Sequence, residues 1–366
     1  MRVIHNKEYI SFFNEETGAY VRTGLLKDGM DTGEDPFMAG FPELLDVGIM
    51  GHCAHGQSGL CVQAGVECYQ NGLTAQGTNM LLADFKRIAA ECRGRTFQIA
   101  LGGCGDPDQH EDFEGILLSC RDNDIVPNFT TSGLGLSEEK ARLCKRYCGA
   151  VAVSWYRSGY TLAAIDRLLA QGVKTNIHYV LNKDTVTEAL VRLQAGNGAE
   201  GFPKGINAVI FLLHKPVGQG SREKMLSGEE DAFRRLLAFV DTGRMPFKVG
   251  FDSCTVPALL QLSHTDFSCL DTCEGARWSA YISADLDMMP CSFAHERGEW
   301  KVSLREMSIQ EAWNSPAFEA FRVRFRETCP ACPKRTLCMG GCPVVPEIVL
   351  CGENYREIKG GAGENG

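Results

Sequence analysis

Three cysteines, Cys53, Cys61 and Cys68, follow directly on the apolar run Leu44–Met50 with the spacing Cys-x7-Cys-x6-Cys. That spacing is too loose for a single zinc knuckle, whose paired ligands stand about two to four residues apart. Three thiolates suffice to wrap an iron–sulfur cluster and leave one iron without a protein ligand. Free cysteine also packs as a small hydrophobe, so three unconnected buried thiols are the competing reading of this stretch.

The rest of the composition narrows the chemistry. The chain has 366 residues, about two domains' worth, with 46 acidic against 37 basic residues and a formal charge of -9. No Lys/Arg block stands out, which disfavours a nucleic-acid or anionic-membrane surface. The first residues lack the apolar core of a secretory signal, and no apolar run approaches the roughly 20 residues of a membrane span. A cytoplasmic protein is expected, and in that reducing compartment 17 cysteines point to metal ligation or catalysis rather than disulfides. Eight of them crowd between Cys269 and Cys351. Cys92, Cys120, Cys144 and Cys148 fall in helical patterns and read as inert thiols, whereas Cys104 and Cys254 stand at strand ends.

Positioning such cysteines falls to an alternation of strands and helices. Residues 1–43 read as an N-terminal appendage in which two apolar runs flank a hairpin turn at 14–18. From 44 onward, strand-like runs at 44–50, 97–101, 126–131, 150–153, 175–181 and 206–213 alternate with helical patterns at 80–92, 111–120, 137–147, 160–171, 184–194 and 228–242, and a further run follows at 247–251. Six βα units in succession predict a parallel sheet that winds right-handed into a partial (β/α)6 barrel, with its ligand site at the C-terminal strand ends. Beyond about 255 the rhythm gives way to short elements and cysteines, a small irregular domain in which metal cross-links replace packing. The domain map is therefore 1–43 appendage, 44–254 barrel, 255–356 cysteine-rich domain and 357–366 disordered tail.

Over about residues 44–351 the chain resembles radical S-adenosylmethionine enzymes that carry a C-terminal SPASM domain. One feature is the three-cysteine loop after the first barrel strand, ending in Cys68-Tyr69. A second is the pair of strand-end motifs Gly102-Gly103 and Thr131-Ser132-Gly133, where that family usually has Gly-Gly-Glu and Thr-Asn-Gly. The third is the array Cys329-x2-Cys332-x5-Cys338-x3-Cys342, with Cys273 and Cys291 upstream and Cys351 downstream. Cys-x2-Cys is also a common zinc spacing, so zinc knuckles are the rival for the array taken alone. Three positions depart from the family pattern: the widened x7 and x6 loop, Cys104-Gly105-Asp106 in place of the glutamate, and Leu286 where a glycine is usual.

The resemblance implies three [4Fe–4S] clusters and S-adenosylmethionine. Cys53, Cys61 and Cys68 would hold the radical-generating cluster, whose open iron chelates the cofactor. Gly102 and Gly103 would let backbone approach its methionine amine, with the amine ligand shifted from the missing glutamate to Asp106 or lost, and Thr131, Ser132 and Ser154 would hydrogen-bond its carboxylate or ribose. Capping of strand ends is the bland role for the same hydroxyls. Cys329, Cys332, Cys338 and Cys351 would hold one auxiliary cluster, and Cys273, Cys291 and Cys342 the other. Its fourth ligand is Cys269 by first choice, with Cys254 as the rival and an open site as the third option. Cys254 and Cys104 are also candidate hydrogen-atom donors to a substrate radical, whereas Asp252, Asp285, Tyr156 and His178 carry no assigned role.

The implied activity is hydrogen abstraction by a 5′-deoxyadenosyl radical that modifies a residue of a peptide or protein substrate by cross-linking, thioether formation, epimerisation or oxidation. Implied partners are an electron donor such as flavodoxin or ferredoxin and, since no leader-binding domain is expected ahead of the barrel, a separate recognition protein or residues 1–43. Two rivals stay open: radical chemistry on a small molecule, and a non-catalytic cluster- or zinc-binding protein.

Overall fold

The computed structural model describes residues 1–327, 329 and 332–351, so the tail expected at 357–366 lies outside the described residues. Strands β1 (Arg2–His5), β2 (Ile10–Phe13) and β3 (Tyr20–Arg22) form an antiparallel meander, and β4 (Leu26–Lys27) pairs with β5 (Met30–Asp31). Asn14 shapes the β2–β3 turn by accepting the amides of Glu16 and Thr17 on its side-chain oxygen, which mimics a backbone turn.

A buried carboxylate helps to tie this meander to the main body. Glu43, 3 % exposed, accepts hydrogen bonds from Asn6, Tyr9 and Ser11, each at 2.9 Å, and from the Tyr20 hydroxyl. Burying a carboxylate is costly unless donors surround it, and here the β1–β2 connection, β2 and β3 supply them.

Seven strands then run parallel and side by side in chain order: β6 (Leu44–Met50), β7 (Gln98–Gly103), β8 (Val126–Thr131), β9 (Val151–Ser154), β10 (Thr175–Leu181), β11 (Ala208–Leu213) and β12 (Lys248–Phe251). The first crossover carries two single-turn helices, α1 (Ala54–Gln57) and α2 (Leu60–Gln63), before α3 (Leu82–Cys92). The later ones hold α4 (Phe113–Asp122), α5 (Glu138–Tyr147), α6 (Gly159–Ala170), α7 (Val186–Ala195) and α8 (Asp231–Thr242). Ser137 and Ser158 cap α5 and α6 through the amides of Lys140 and Thr161. This is the barrel-like winding of six βα units, and it is left open, with β12 as one edge.

The two faces of these strands differ chemically. Val47, Leu101, Phe129, Val153, Ile177 and Val209 are buried toward the helices, whereas the opposite parity carries Asp46, Gln98, Asn128, Thr130, Asn176 and His178. Asn128 donates to Gln98 at 2.9 Å, Thr130 meets His178 Nδ1 at 3.1 Å, and Asn207 donates to Asn176 at 2.7 Å. A barrel built only for stability fills its interior with branched apolar residues. A polar interior is a place for a ligand.

Past α9 (Val256–Leu259), β13 (Ser279–Ile282) joins the same sheet parallel to β6, and β14 (Asp287–Met289) and β15 (Val302–Ser303) extend it antiparallel to ten strands. The C-terminal residues carry more apolar packing than their broken periodicity suggests. Around α10 (Ile309–Trp313), α11 (Pro316–Glu327) and α12 (Arg335–Cys338), the side chains of Trp300, Trp313, Phe318 and Phe321 are buried. Trp300 meets Phe321 edge-on at 4.9 Å. No described helix is long and apolar enough to cross a membrane.

Replacing Glu43 with Ala leaves the Tyr9 and Ser11 hydroxyls buried without their acceptor, at about 1–3 kcal/mol for each such group. The expected result is a loss of about 3 kcal/mol in guanidinium unfolding and early hydrogen exchange in residues 2–22, with a smaller loss for Glu43→Gln, which keeps one acceptor oxygen.

Candidate functional site

The widened cysteine loop stays compact because two single helical turns lie along it, α1 within the first spacer and α2 around Cys61. Cys53 caps α1, its Sγ accepting the Gly56 amide at 3.1 Å. Gly59, at φ 75°, starts α2, which contains the buried Cys61. Cys68 Sγ accepts the Gly72 amide at 3.3 Å. The three thiols come close enough for their charges to interact, and burial, ahead of those neighbours, pushes Cys53 up to about 11 and raises Cys61. Amide donors aimed at sulfur are the hydrogen bonds expected around ligating thiolates.

Glycines let the strand ends meet this loop. A Cβ on Gly105 would sit 2.3 Å from the His52 carbonyl oxygen, and one on Gly103, whose φ is 109°, 2.5 Å from that of Met50. A Cβ on Gly102 would meet nothing within 4 Å, so that residue faces open space. From the far side, Glu67 accepts the Ser221 amide at 2.8 Å and pairs with Lys224 at 2.9 Å, and Gln219 donates its amide to the Cys68 carbonyl at 3.0 Å.

Asp106 lies where its charge reaches Cys53 and Cys61. Its carboxylate is held in place by the Ser132 amide at 2.6 Å and hydroxyl at 2.5 Å. Burial raises its pKa, against the pull of those two donors. The Thr131 hydroxyl donates to Asp108 at 2.8 Å. Thr131 and Ser132 are therefore committed to two acids, and their nearest partners are protein groups. Ser154 faces the interior beside Tyr156, which stacks on His55 with ring centroids 5.2 Å apart. His55 also meets the Tyr160 hydroxyl at 2.7 Å. Sequence reasoning passed over His55. Its signal was its place two residues after Cys53, inside the loop.

The C-terminal cysteines fall into two groups. Cys254 Sγ hydrogen-bonds with Cys342, which together with burial raises its pKa. Cys273 and Cys291 are each close enough to Cys254 for their charges to interact. Cys269 is exposed, in the turn Phe267–Cys269. Lys215, with none of its side chain exposed, pairs with Asp252 at 3.1 Å beside this first group and lies 4.1 Å from the Phe293 ring centroid. Burial opposes its charge, but Asp252 and then Cys254 outweigh that and raise its pKa. In the second group, Cys338 and Cys351 lie within charge range of Cys329 and Cys332, and burial pushes Cys351 up to about 11. The Thr272 hydroxyl donates to the Cys338 carbonyl at 2.9 Å, linking the two groups. Among the described residues no three His, Cys, Asp or Glu side chains, those of Cys53, Cys61 and Cys68 included, close to the spacing of a single metal ion. Cys104 donates from Sγ to the Gln70 carbonyl at 3.3 Å, within charge range of Cys68.

Residues 273–333 match the model of the SPASM iron–sulfur cluster-binding domain. The chain carries a SPASM domain. Its overall fold is that of SuiB from Streptococcus suis: the structure bound to S-adenosylmethionine superposes with a TM-score of 0.66 over 86 % of this chain and 78 % of that one, at 16 % identity. SuiB bound to its precursor peptide SuiA gives 0.66 over 86 % and 77 %, at 15 % identity. The enzyme anSMEcpe with bound AdoMet and Cp18Cys peptide gives 0.57 over 87 % and 95 %, also at 15 %. No curated protein matches the sequence. The SPASM match contains Cys273, Cys291, Cys329 and Cys332, members of both C-terminal groups.

The interior acid Asp46 gives a pH test. Burial alone pushes its pKa from 3.8 up to about 6, so the unfolded chain ionises first and stability falls as pH rises from about 4 to 6. Asp46→Asn is expected to raise stability by up to about 3 kcal/mol at pH 7 to 8 and to change nothing below pH 3.5. Thermal unfolding at the two pH values checks it.

Proposed function

We propose that this chain is a radical S-adenosylmethionine enzyme that modifies a residue of a peptide substrate. The observation that carries the reading is the convergence of Cys53, Cys61 and Cys68 at the end of the first parallel strand, in a chain with a SPASM domain. Supporting it are the fold shared with SuiB and anSMEcpe and the peptides bound in those two structures.

The donor set suits the implied groups. Three thiols, two of them already facing amide donors, would hold a [4Fe–4S] cluster and leave one iron for the cofactor. When bound, cluster and S-adenosylmethionine supply a 5′-deoxyadenosyl radical that removes a hydrogen atom from the substrate. The protein's own part is positioning. Asp106, fixed by Ser132, would accept the cofactor amine in place of the missing glutamate, while Gly102 and Gly103 leave room for it. Ser154 and Tyr156 would line its ribose side, and Thr131 would act by holding Asp108. Cys104 remains the candidate hydrogen-atom donor.

For the auxiliary sites we assign Cys254, Cys273, Cys291 and Cys342 to one cluster and Cys329, Cys332, Cys338 and Cys351 to the other, which makes three clusters in all. Cys254 takes the fourth place instead of Cys269, because it is the thiol that bonds Cys342. Lys215 would then offset the negative charge of the ligating thiolates. The domain boundaries of the sequence reading, a cytoplasmic setting, a flavodoxin- or ferredoxin-like donor and a separate leader-recognition protein belong to the same proposal.

Anaerobic reconstitution tests it. About twelve irons per chain are expected, with 5′-deoxyadenosine formed on dithionite reduction. Cys53→Ala, Cys61→Ala and Cys68→Ala should each abolish that product and remove about four irons; its persistence in any of them would overturn the assignment. Cys254→Ala should remove one auxiliary electron paramagnetic resonance signal and Cys269→Ala none.

A further inference from the structure

Strand β12 is an edge: among the described residues it pairs with β11 and with no other strand. Lys248 and Asp252 donate their amides to the carbonyls of Asn207 and Phe211 at 3.1 and 2.9 Å. Alternation along a parallel ladder then turns the amides and carbonyls of Val249 and Phe251 away from the sheet. A cavity of about 530 Å³ lies along that outward side, walled by Val240, Leu259, Leu262 and Leu270, and its lining extends to Glu274.

The inner end of this groove is acidic. No described residue donates a hydrogen bond to the Glu274 carboxylate, whose charge interacts with those of Asp271 and Asp46 and, in the opposite sense, with those of Arg22 and Arg277. The nearby cations are engaged elsewhere. Arg22 pairs with Asp271 at 2.5 Å, and Arg277 donates to the carbonyls of Phe37 and Cys273 at 2.8 and 3.1 Å. Asp46, on the interior face of β6, likewise accepts no hydrogen bond from the described residues, and its charge reaches Tyr69, the neighbour of Cys68. The groove thus leads from an open strand edge to the Glu274 carboxylate. A half-buried carboxylate with no hydrogen-bond donor is a place for a cation. An unpaired strand edge calls for backbone donors and acceptors, the basis of strand addition by extended peptides.

We infer that β12 and its groove receive an extended segment of the peptide substrate as an added strand, with apolar side chains along the groove and a basic side chain reaching Glu274. This rests on the peptide-modifying reading and adds to it how the substrate enters and which residue it carries. A second copy of this chain pairing edge to edge is the competing occupant.

The test screens a displayed library of random nine-residue peptides against the reconstituted enzyme and measures the affinity of enriched sequences by fluorescence anisotropy. Enriched peptides should carry Lys or Arg flanked by apolar or β-branched residues at alternate positions. N-methylation of the alternate amides that face β12 should weaken binding to wild-type enzyme at least tenfold. Glu274→Gln should weaken the lysine peptide at least tenfold and its norleucine analogue less than threefold. Absence of enrichment, or enriched peptides indifferent both to N-methylation and to Glu274→Gln, overturns the inference. So does a dimer that Val249→Pro abolishes in an enzyme that binds no peptide. Deoxyadenosine formation separates the two levels: its presence with edge-independent binding sinks this inference alone, and its absence from wild-type enzyme sinks the radical reading whatever peptide binds.

Discussion

Two backbones must touch for this molecule to have a site. The segment from Gly51 to Cys53 and the strand end from Gly103 to Gly105 come so close that a methyl group on Gly105 would fall 2.3 Å from the His52 oxygen, and one on Gly51 2.1 Å from the Thr78 oxygen. Side chains at those positions would push the cysteine loop off the sheet. Because they are glycines, Cys104 continues the β6–β7 ladder to Met50, and Cys53, Cys68 and Asp106 end up facing one another. The conformational freedom that glycine costs in the unfolded chain is the condition for that approach.

Around this contact the protein buries charge and then compensates it locally. Glu43 is surrounded by donors from the N-terminal meander, Lys215 by Asp252 and a carbonyl, and Asp106 by one serine. Each is a charge whose isolated burial would be prohibitive, and each ties a segment distant in sequence to the barrel. Asp46 and Glu274 break the pattern. Their carboxylates have no hydrogen-bond donor among the described residues.

Much of the fold could be read in the chain. Each parallel strand is an apolar run such as 206–213, each crossover has helical periodicity, and the cysteine spacing at 329–342 is characteristic enough to mark the C-terminal domain. The polar parity of the strands was also there, in Asp46, Asn128, Asn176 and His178, but only pairing shows that these residues share one interior. The packing of Trp300, Trp313 and Phe321 was hidden, because its contacts join short elements that carry no periodic signal.

The sequence by itself determined which residue types stand at the strand ends and how the cysteines are spaced, since both are local along the chain. Tertiary structure decided which distant groups meet. Cys269 is four residues from Cys273, yet it points to solvent, while Cys254, nineteen residues away, reaches Cys342 because β12 ends beside the C-terminal segment. Likewise the x7 and x6 spacers, loose along the chain, are drawn in by two single helical turns, α1 within the first spacer and α2 around Cys61. Spacing constrains what can be close along a chain; only folding fixes what is close in space.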